Sequence, residues 1–228
     1  MIKNLKLLAL ALLLSSFGLA AQAQKLAYDT TYRPGKYKEL TAKFAAETST
    51  KNDYVFLGNS ITAGTNWSVL LNLPNAKQRG ISGDITFGIL ERLQEVIDRK
   101  PAKVFVLIGI NDISRNIPDS LILRNYKTIV QRIRKGSKKT QIYFYTLLPV
   151  NATFAKFKNH YNKDGHILYL NNEIRKMAAK NVTIIDLYSH FLDKENRLQA
   201  DLTYDGLHLS PEGYQVWKKV LDEGGYLK

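Results

Sequence analysis

The feature that most restricts this chain is the run Val55-Phe56-Leu57, which breaks off into Gly58-Asn59-Ser60. A short, uninterrupted apolar run is what a strand of a parallel sheet requires, because helices cover both of its faces. The loop at the carboxyl end of such a strand is where open α/β sheets place their ligands. Ser60 therefore stands where a reacting residue would stand, although Gly-Asn-Ser is also ordinary turn composition. The same layout returns at Val104-Phe105-Val106-Leu107-Ile108, which ends in Gly109-Ile110-Asn111-Asp112.

Between these runs the apolar residues fall at helical spacing. Residues 24–34 show no periodicity and read as an extended lead-in, whereas Leu40 and Phe44 set an amphipathic helix over 37–47. Strand one is expected over 53–57, a helix after Ser60 through 67–71, and strand two over 76–79, followed by Gly80-Ile81-Ser82-Gly83-Asp84. Ile89, Leu90, Leu93, Val96 and Ile97 share one face of a helix over 86–98 that Lys100-Pro101 stops. Strand three follows at 103–108, a helix at 119–135, and strand four at 141–148, closed by Pro149. Residues 151–164 form a polar and aromatic loop, 166–180 a helix, 182–187 strand five, and 212–221 a closing helix that begins beside Pro211. Alternation of this kind predicts one α/β domain, a three-layer α/β/α sandwich around a five-stranded parallel sheet.

The amino terminus is of a different kind. Lys3 and Lys6 precede an apolar run from Leu7 to Leu14, and small residues lead to Ala21-Gln22-Ala23. That is the layout of a secretory signal peptide over 1–23, with cleavage expected before Gln24 and the domain occupying 24–228. Ser15, Ser16 and Gly18 keep the apolar core shorter than a membrane span wants, so no stable membrane insertion is expected after cleavage. The expected location is the periplasm or the exterior. With no cysteine the chain can form no disulfide and carry no lipid on a new N-terminus. Cleavage would remove two lysines and no acid, taking the formal net charge from +13 to +11. Such a surface favours anionic partners such as acidic glycans or phospholipid headgroups, or serves solubility alone; nucleic acid is not expected for an exported protein.

Right-handed crossovers put every carboxyl end of a parallel sheet on one edge, so Ser60, Gly83, Asn111 and the loop holding Asp205 and His208 should converge there. A serine, a set of oxyanion donors, and an Asp and His three residues apart are what acyl transfer by a serine nucleophile needs. The combined pattern resembles the SGNH hydrolases, also called GDSL esterases/lipases, over essentially the whole mature chain. Gly58-Asn59-Ser60 looks like their nucleophile block, Gly80-Ile81-Ser82-Gly83-Asp84 the glycine block, Gly109-Ile110-Asn111-Asp112 the asparagine block, and Asp205-Gly206-Leu207-His208 the Asp-x-x-His block. The resemblance implies the flavodoxin-like SGNH fold, Ser60 as nucleophile, His208 as general base and Asp205 as its orienter. It implies the Ser60 and Gly83 backbone N–H groups and the Asn111 side chain as oxyanion donors. The family's usual Gly-Asp-Ser reads Gly-Asn-Ser here; since the orienting carboxylate is Asp205, Asn59 removes no triad member.

A neutral imidazole can take the serine proton and return it to the leaving alcohol, and a carboxylate on its other nitrogen fixes the tautomer. Asn59, Ile61, Ile110, Phe154 and Leu207 are the candidate substrate contacts, and the loop around Phe154, Phe157 and Tyr161 should overhang the site. No cofactor is called for. His160, His166 and His190 lack metal-ligand spacing, so no metal site is expected. Arg132, Arg134, Lys135, Lys138 and Lys139 cluster ahead of strand four, on the edge opposite the site. The expected activity is hydrolysis of carboxylic esters through an acyl-enzyme, with a small-molecule or glycan ester as substrate. O-acetyl groups on carbohydrates, sialate or others, are the reading that the resemblance favours. A lysophospholipase or thioesterase acting on longer acyl chains, and a noncatalytic glycan-binding module, are the alternatives.

Overall fold

The computed structural model describes residues 28–228, so the signal peptide over 1–23 and its cleavage before Gln24 lie outside the described residues. Five strands, β1 (Tyr54–Gly58), β2 (Ala76–Gly80), β3 (Lys103–Leu107), β4 (Gln141–Tyr145) and β5 (Val182–Ile185), pair in parallel in the order β2-β1-β3-β4-β5. Among the described residues eight α-helices accompany them: α1 (Tyr37–Ala46), α2 (Ser60–Ala63), α3 (Trp67–Leu70), α4 (Thr86–Arg99), α5 (Ile110–Ser114), α6 (Asp119–Gly136), α7 (Asp164–Arg175) and α8 (Pro211–Glu223). The chain leaves β1 towards β2 on one side and returns to β3 on the other. The carboxyl ends of β1 and β3 thus flank the point where the winding reverses, which is where such sheets open a crevice.

The two faces are filled differently. Phe56, Phe105 and Tyr143 are register partners on β1, β3 and β4, and their rings stack at 4.7 and 4.6 Å. Trp67 lies flat on Phe56 at 4.1 Å, and Trp217 of α8 meets Trp67 edge-on at 4.9 Å, so one face is an aromatic stack. The alternate strand positions point the other way. There Tyr126 of α6 packs on Phe144 at 5.0 Å, and α4, α6 and α7 lie side by side.

Several boundaries differ from the sequence expectation for physical reasons. Strand four ends at Tyr145 rather than at residue 148, because the Leu147 N–H and C=O are taken by the Asn171 amide, at 2.6 and 3.0 Å, instead of by a neighbouring strand. Helix α7 ends at Arg175 rather than at 180: Asn181 adopts φ 63° and Ala179 bridges back to Val182, turning the chain into β5. The helix expected after Ser60 is two short ones, and α5 was not anticipated at all, since four or five residues carry no periodicity.

Candidate active site

Strand β1 delivers Ser60 as the first residue of α2, and Asn59 makes the turn that does so. Its side-chain oxygen accepts from the Ile61 N–H at 3.0 Å and it is 1% exposed. Asn59 is therefore scaffold for the serine, not a surface for substrate.

The Asp205-x-x-His208 spacing is explained by one turn. Asp205 Oδ1 accepts from the Leu207 and His208 N–H groups at 3.0 and 2.8 Å, which leaves Oδ2 facing His208 Nδ1 at 2.8 Å. The other ring nitrogen, Nε2, lies 2.9 Å from Ser60 Oγ. Burial works to raise the Asp205 carboxyl, but the His208 N–H, the imidazole and the Leu207 N–H outweigh it and hold the carboxyl below its usual value. Thr203, which the sequence did not single out, locks the turn: its hydroxyl donates to the His208 carbonyl at 2.6 Å and accepts from the Gly206 N–H at 2.9 Å. Gly206 sits at φ 84°, and a Cβ there would fall 2.3 Å from the Asn151 carbonyl oxygen, so only glycine lets the two loops meet.

Opposite the serine lie the donors. Neither the Ser60 nor the Gly83 N–H meets an acceptor among the described residues, and Gly83 adopts φ 82°. Asn111 Nδ2 donates one hydrogen to the Asp84 carbonyl at 3.0 Å, while its Oδ1 lies 3.1 Å from His160 Nε2. That bond fixes the amide so that the second Nδ2 hydrogen is left for the pocket. Beneath, the buried Asp84 carboxylate pairs with buried Arg92 at 3.0 Å, and Arg92 also donates to the Gly58 carbonyl at 3.0 Å. Burial pushes Asp84 up and Arg92 down, and their contact opposes both shifts. One ion pair thus ties the glycine block to the end of β1. A second buried knot ties α5 to α4: Asp112 accepts from the Thr86 N–H and hydroxyl, and Asn125 donates to that hydroxyl at 2.8 Å.

These groups border a pocket of about 630 Å³. Ser60, His208, Gly83, Asn111 and Leu207 line it, joined by Ser82, Ser114, Arg115, Asn159 and Tyr204. The loop after β4 does overhang the site, but it contributes Phe157 and His160 rather than Phe154, which packs against Gly206. The Phe157 ring meets the His208 imidazole edge-on at 5.1 Å, and Tyr161 holds the loop down by donating to the Asp205 carbonyl at 3.2 Å. Ile61 and Ile110 do not reach the pocket. With Asn59, Leu207 and the Leu147-Val150 stretch they close an apolar space of about 10 Å³ behind it. The sequence offers His160 only as a metal ligand without ligand spacing, and gives it no place in this site. Burial first, and then the charges of His208 and Arg115, push its imidazole down to about 4, so it is neutral at ordinary pH.

The sequence signature of the GDSL-like lipase/acylhydrolase family matches residues 56–216. The chain belongs to that family. GDSL-like acylhydrolases hydrolyse esters, and this chain is an ester-hydrolysing enzyme of the group. It is 26% identical over 177 residues to the platelet-activating factor acetylhydrolase IB subunit alpha2 of Rattus norvegicus, covering 75% of each chain. A GDSL-like lipase from Bacteroides thetaiotaomicron superposes with TM-score 0.72 at 25% identity, covering 82% of this chain and 96% of the other. An acetylxylan esterase from Geobacillus stearothermophilus shares the fold, with TM-score 0.55 at 20% identity over 78% of this chain and 96% of that one.

Other residues considered from the sequence lie away from this GDSL-like site. Arg134, Lys135 and Lys138 line a cleft of about 770 Å³ with Lys127, Lys176 and Lys180, beside Thr140 and Asn181, which precede β4 and β5. That is the amino edge of the sheet, opposite Ser60. Arg132 is not part of it, since it donates to the Leu90 carbonyl on α4. Among the described residues no three His, Cys, Asp or Glu side chains are grouped to hold a metal ion, and no helix is long and apolar enough to cross a membrane.

Proposed function

We propose that this enzyme is a serine esterase that removes acetyl groups from hydroxyl-rich, carbohydrate-like esters by way of an acyl-enzyme. The observation that carries the reading is the unbroken chain from Asp205 Oδ2 to His208 Nδ1 at 2.8 Å and from His208 Nε2 to Ser60 Oγ at 2.9 Å, bordering a pocket with free donors. His208 takes the Ser60 proton as Oγ attacks the ester carbonyl. The charge that forms on the carbonyl oxygen is met by the Ser60 and Gly83 N–H groups and the Asn111 amide. Collapse expels the alcohol, which receives the proton from His208. Water, deprotonated by the same imidazole, then attacks the acetyl-Ser60 ester and releases acetate. Asp205, fixed by two backbone N–H groups, steadies the imidazolium at both stages.

A short acyl group is favoured because the apolar residues flanking Ser60 close up instead of opening a groove: the space they enclose has room for about one water. The acetylhydrolase name of the curated relative points the same way. A hydroxyl-rich alcohol part is favoured by Ser82, Ser114, Asn159 and Tyr204 around the open side. The leader with two lysines, an apolar run and small residues supports action outside the cytoplasm. In a series of p-nitrophenyl esters the rate should be greatest for acetate and fall about tenfold or more by the octanoate, since a longer chain finds no matching groove. A rate that peaks at eight carbons or beyond would overturn the acetyl reading in favour of a lysophospholipase or thioesterase.

A further inference from the structure

We propose that Arg115 is an anion-binding residue of this pocket, and that the substrate is an ester of an acidic sugar whose carboxylate Arg115 holds. The inference rests on the esterase reading above and names its substrate class.

The first observation concerns how the chain uses its arginines. Arg33, Arg79, Arg92, Arg99, Arg132 and Arg197 are buried or half-buried, and each spends guanidinium N–H groups on carbonyl or carboxylate oxygens. Arg115 is half-buried too, yet among the described residues its side chain makes no hydrogen bond and no ion pair. A guanidinium carries five donors and no acceptor, and because no Arg115 nitrogen is enclosed, these donors stand open to an arriving anion. The second observation is its place. Arg115 follows α5 directly, four residues after Asn111, and lines the same pocket as Ser60 and His208.

Its orientation is set by stacking. The guanidinium lies over the Tyr32 ring, 3.2 Å from the centroid, so one flat face is occupied and the N–H edge is free. A planar guanidinium presented edge-on matches a carboxylate through two parallel hydrogen bonds. No Asp or Glu lines the pocket, and the nearby Asp205 carboxylate is already engaged by His208 and two backbone N–H groups. After burial, His208 and Arg115 are the charges that push His160 down, with Asp205 opposing them, and the one further carboxylate among the described residues that feels Arg115, Asp29, is exposed and does not line the pocket. A zwitterionic phospholipid headgroup fits less well, since its ammonium would find no acid in the pocket. Around Arg115, Ser82, Ser114, Asn159 and Tyr204 offer hydrogen-bonding groups suited to sugar hydroxyls.

The test uses the full protein and a substrate pair that differs only in charge: O-acetylated N-acetylneuraminate and its C1 carboxamide. For wild type, kcat/KM should favour the carboxylate by about tenfold or more, the scale of one charge-assisted bidentate contact. In Arg115→Met the preference should fall to near unity, mainly through KM, and Arg115→Lys should restore part of it. In Ser60→Ala protein, binding of free N-acetylneuraminate by calorimetry should vanish when Arg115→Met is added. Equal wild-type rates on acid and amide, or a preference that survives Arg115→Met, would overturn the inference. So would hydrolysis of p-nitrophenyl acetate or an acetylated phospholipid with neither sugar accepted. Failure of wild type on p-nitrophenyl acetate itself, with calorimetric binding intact, would instead reject the esterase reading and leave Arg115 as an anion site.

Discussion

Asn111 serves three neighbours with one amide: a hydrogen to the Asp84 carbonyl, its oxygen to His160, and a second hydrogen to the pocket. Asn111→Ala should therefore lower kcat about 100- to 1,000-fold in a p-nitrophenyl acetate assay, as loss of an oxyanion donor does, with a smaller effect on KM. Ser60, Asp205 and His208 were legible in the sequence because local turns fix their spacing: the Asp205 carboxylate builds the turn that brings His208 to it. His160, Thr203 and Arg115 were not. His160 reaches Asn111 only because the loop after β4 folds back across the sheet edge, a contact between residues 49 apart that no local pattern encodes. Phe154 and Phe157 are indistinguishable in composition, and only the fold selects Phe157.

At the scale of elements, the strands and long helices could be read because burial repeats along them, with periods of two or 3.6 residues. Their ends could not, where a side chain decides the matter. Asn171 terminates β4 from a helix that lies more than twenty residues further on. The Arg92–Asp84 pair is another such tie, joining α4, the glycine block and the end of β1 through atoms that are all buried. Arg92→Met would leave the Asp84 carboxylate without its partner. Removing one member of a buried pair costs about 3–5 kcal/mol, so urea unfolding should show a loss of that order, and Asn111, held by the Asp84 carbonyl, should lose register with it.

Over the whole molecule, the α/β alternation and the reversal at β1 bring four separated motifs to one edge, while basic side chains collect at the other. The carboxyl ends of α6 and α7 lie on that basic edge, where cations complement the helix dipoles. A pH dependence of stability belongs to this scale. The His160 imidazole is pushed down to about 4 in the fold, whereas an unfolded chain binds its proton near 6.5. Between those values the unfolded state holds more protons, so this contribution is complete above about 6.5 and is lost as pH falls towards 4. Melting temperature should consequently fall more steeply over that window in wild type than in His160→Gln, which keeps a donor for Asn111. Parallel curves would contradict the shift.

The central claim is that Ser60 is a nucleophile activated by His208. The most direct measurement is covalent labelling by a fluorophosphonate, followed by peptide mapping and by the rate of labelling in variants. The expected result is a single adduct on Ser60, none in Ser60→Ala, and labelling slowed by about a thousandfold or more in His208→Ala, since members of such a triad act as a unit. An adduct elsewhere, no adduct in wild type, or labelling of Ser60 at the same rate without His208 would contradict it.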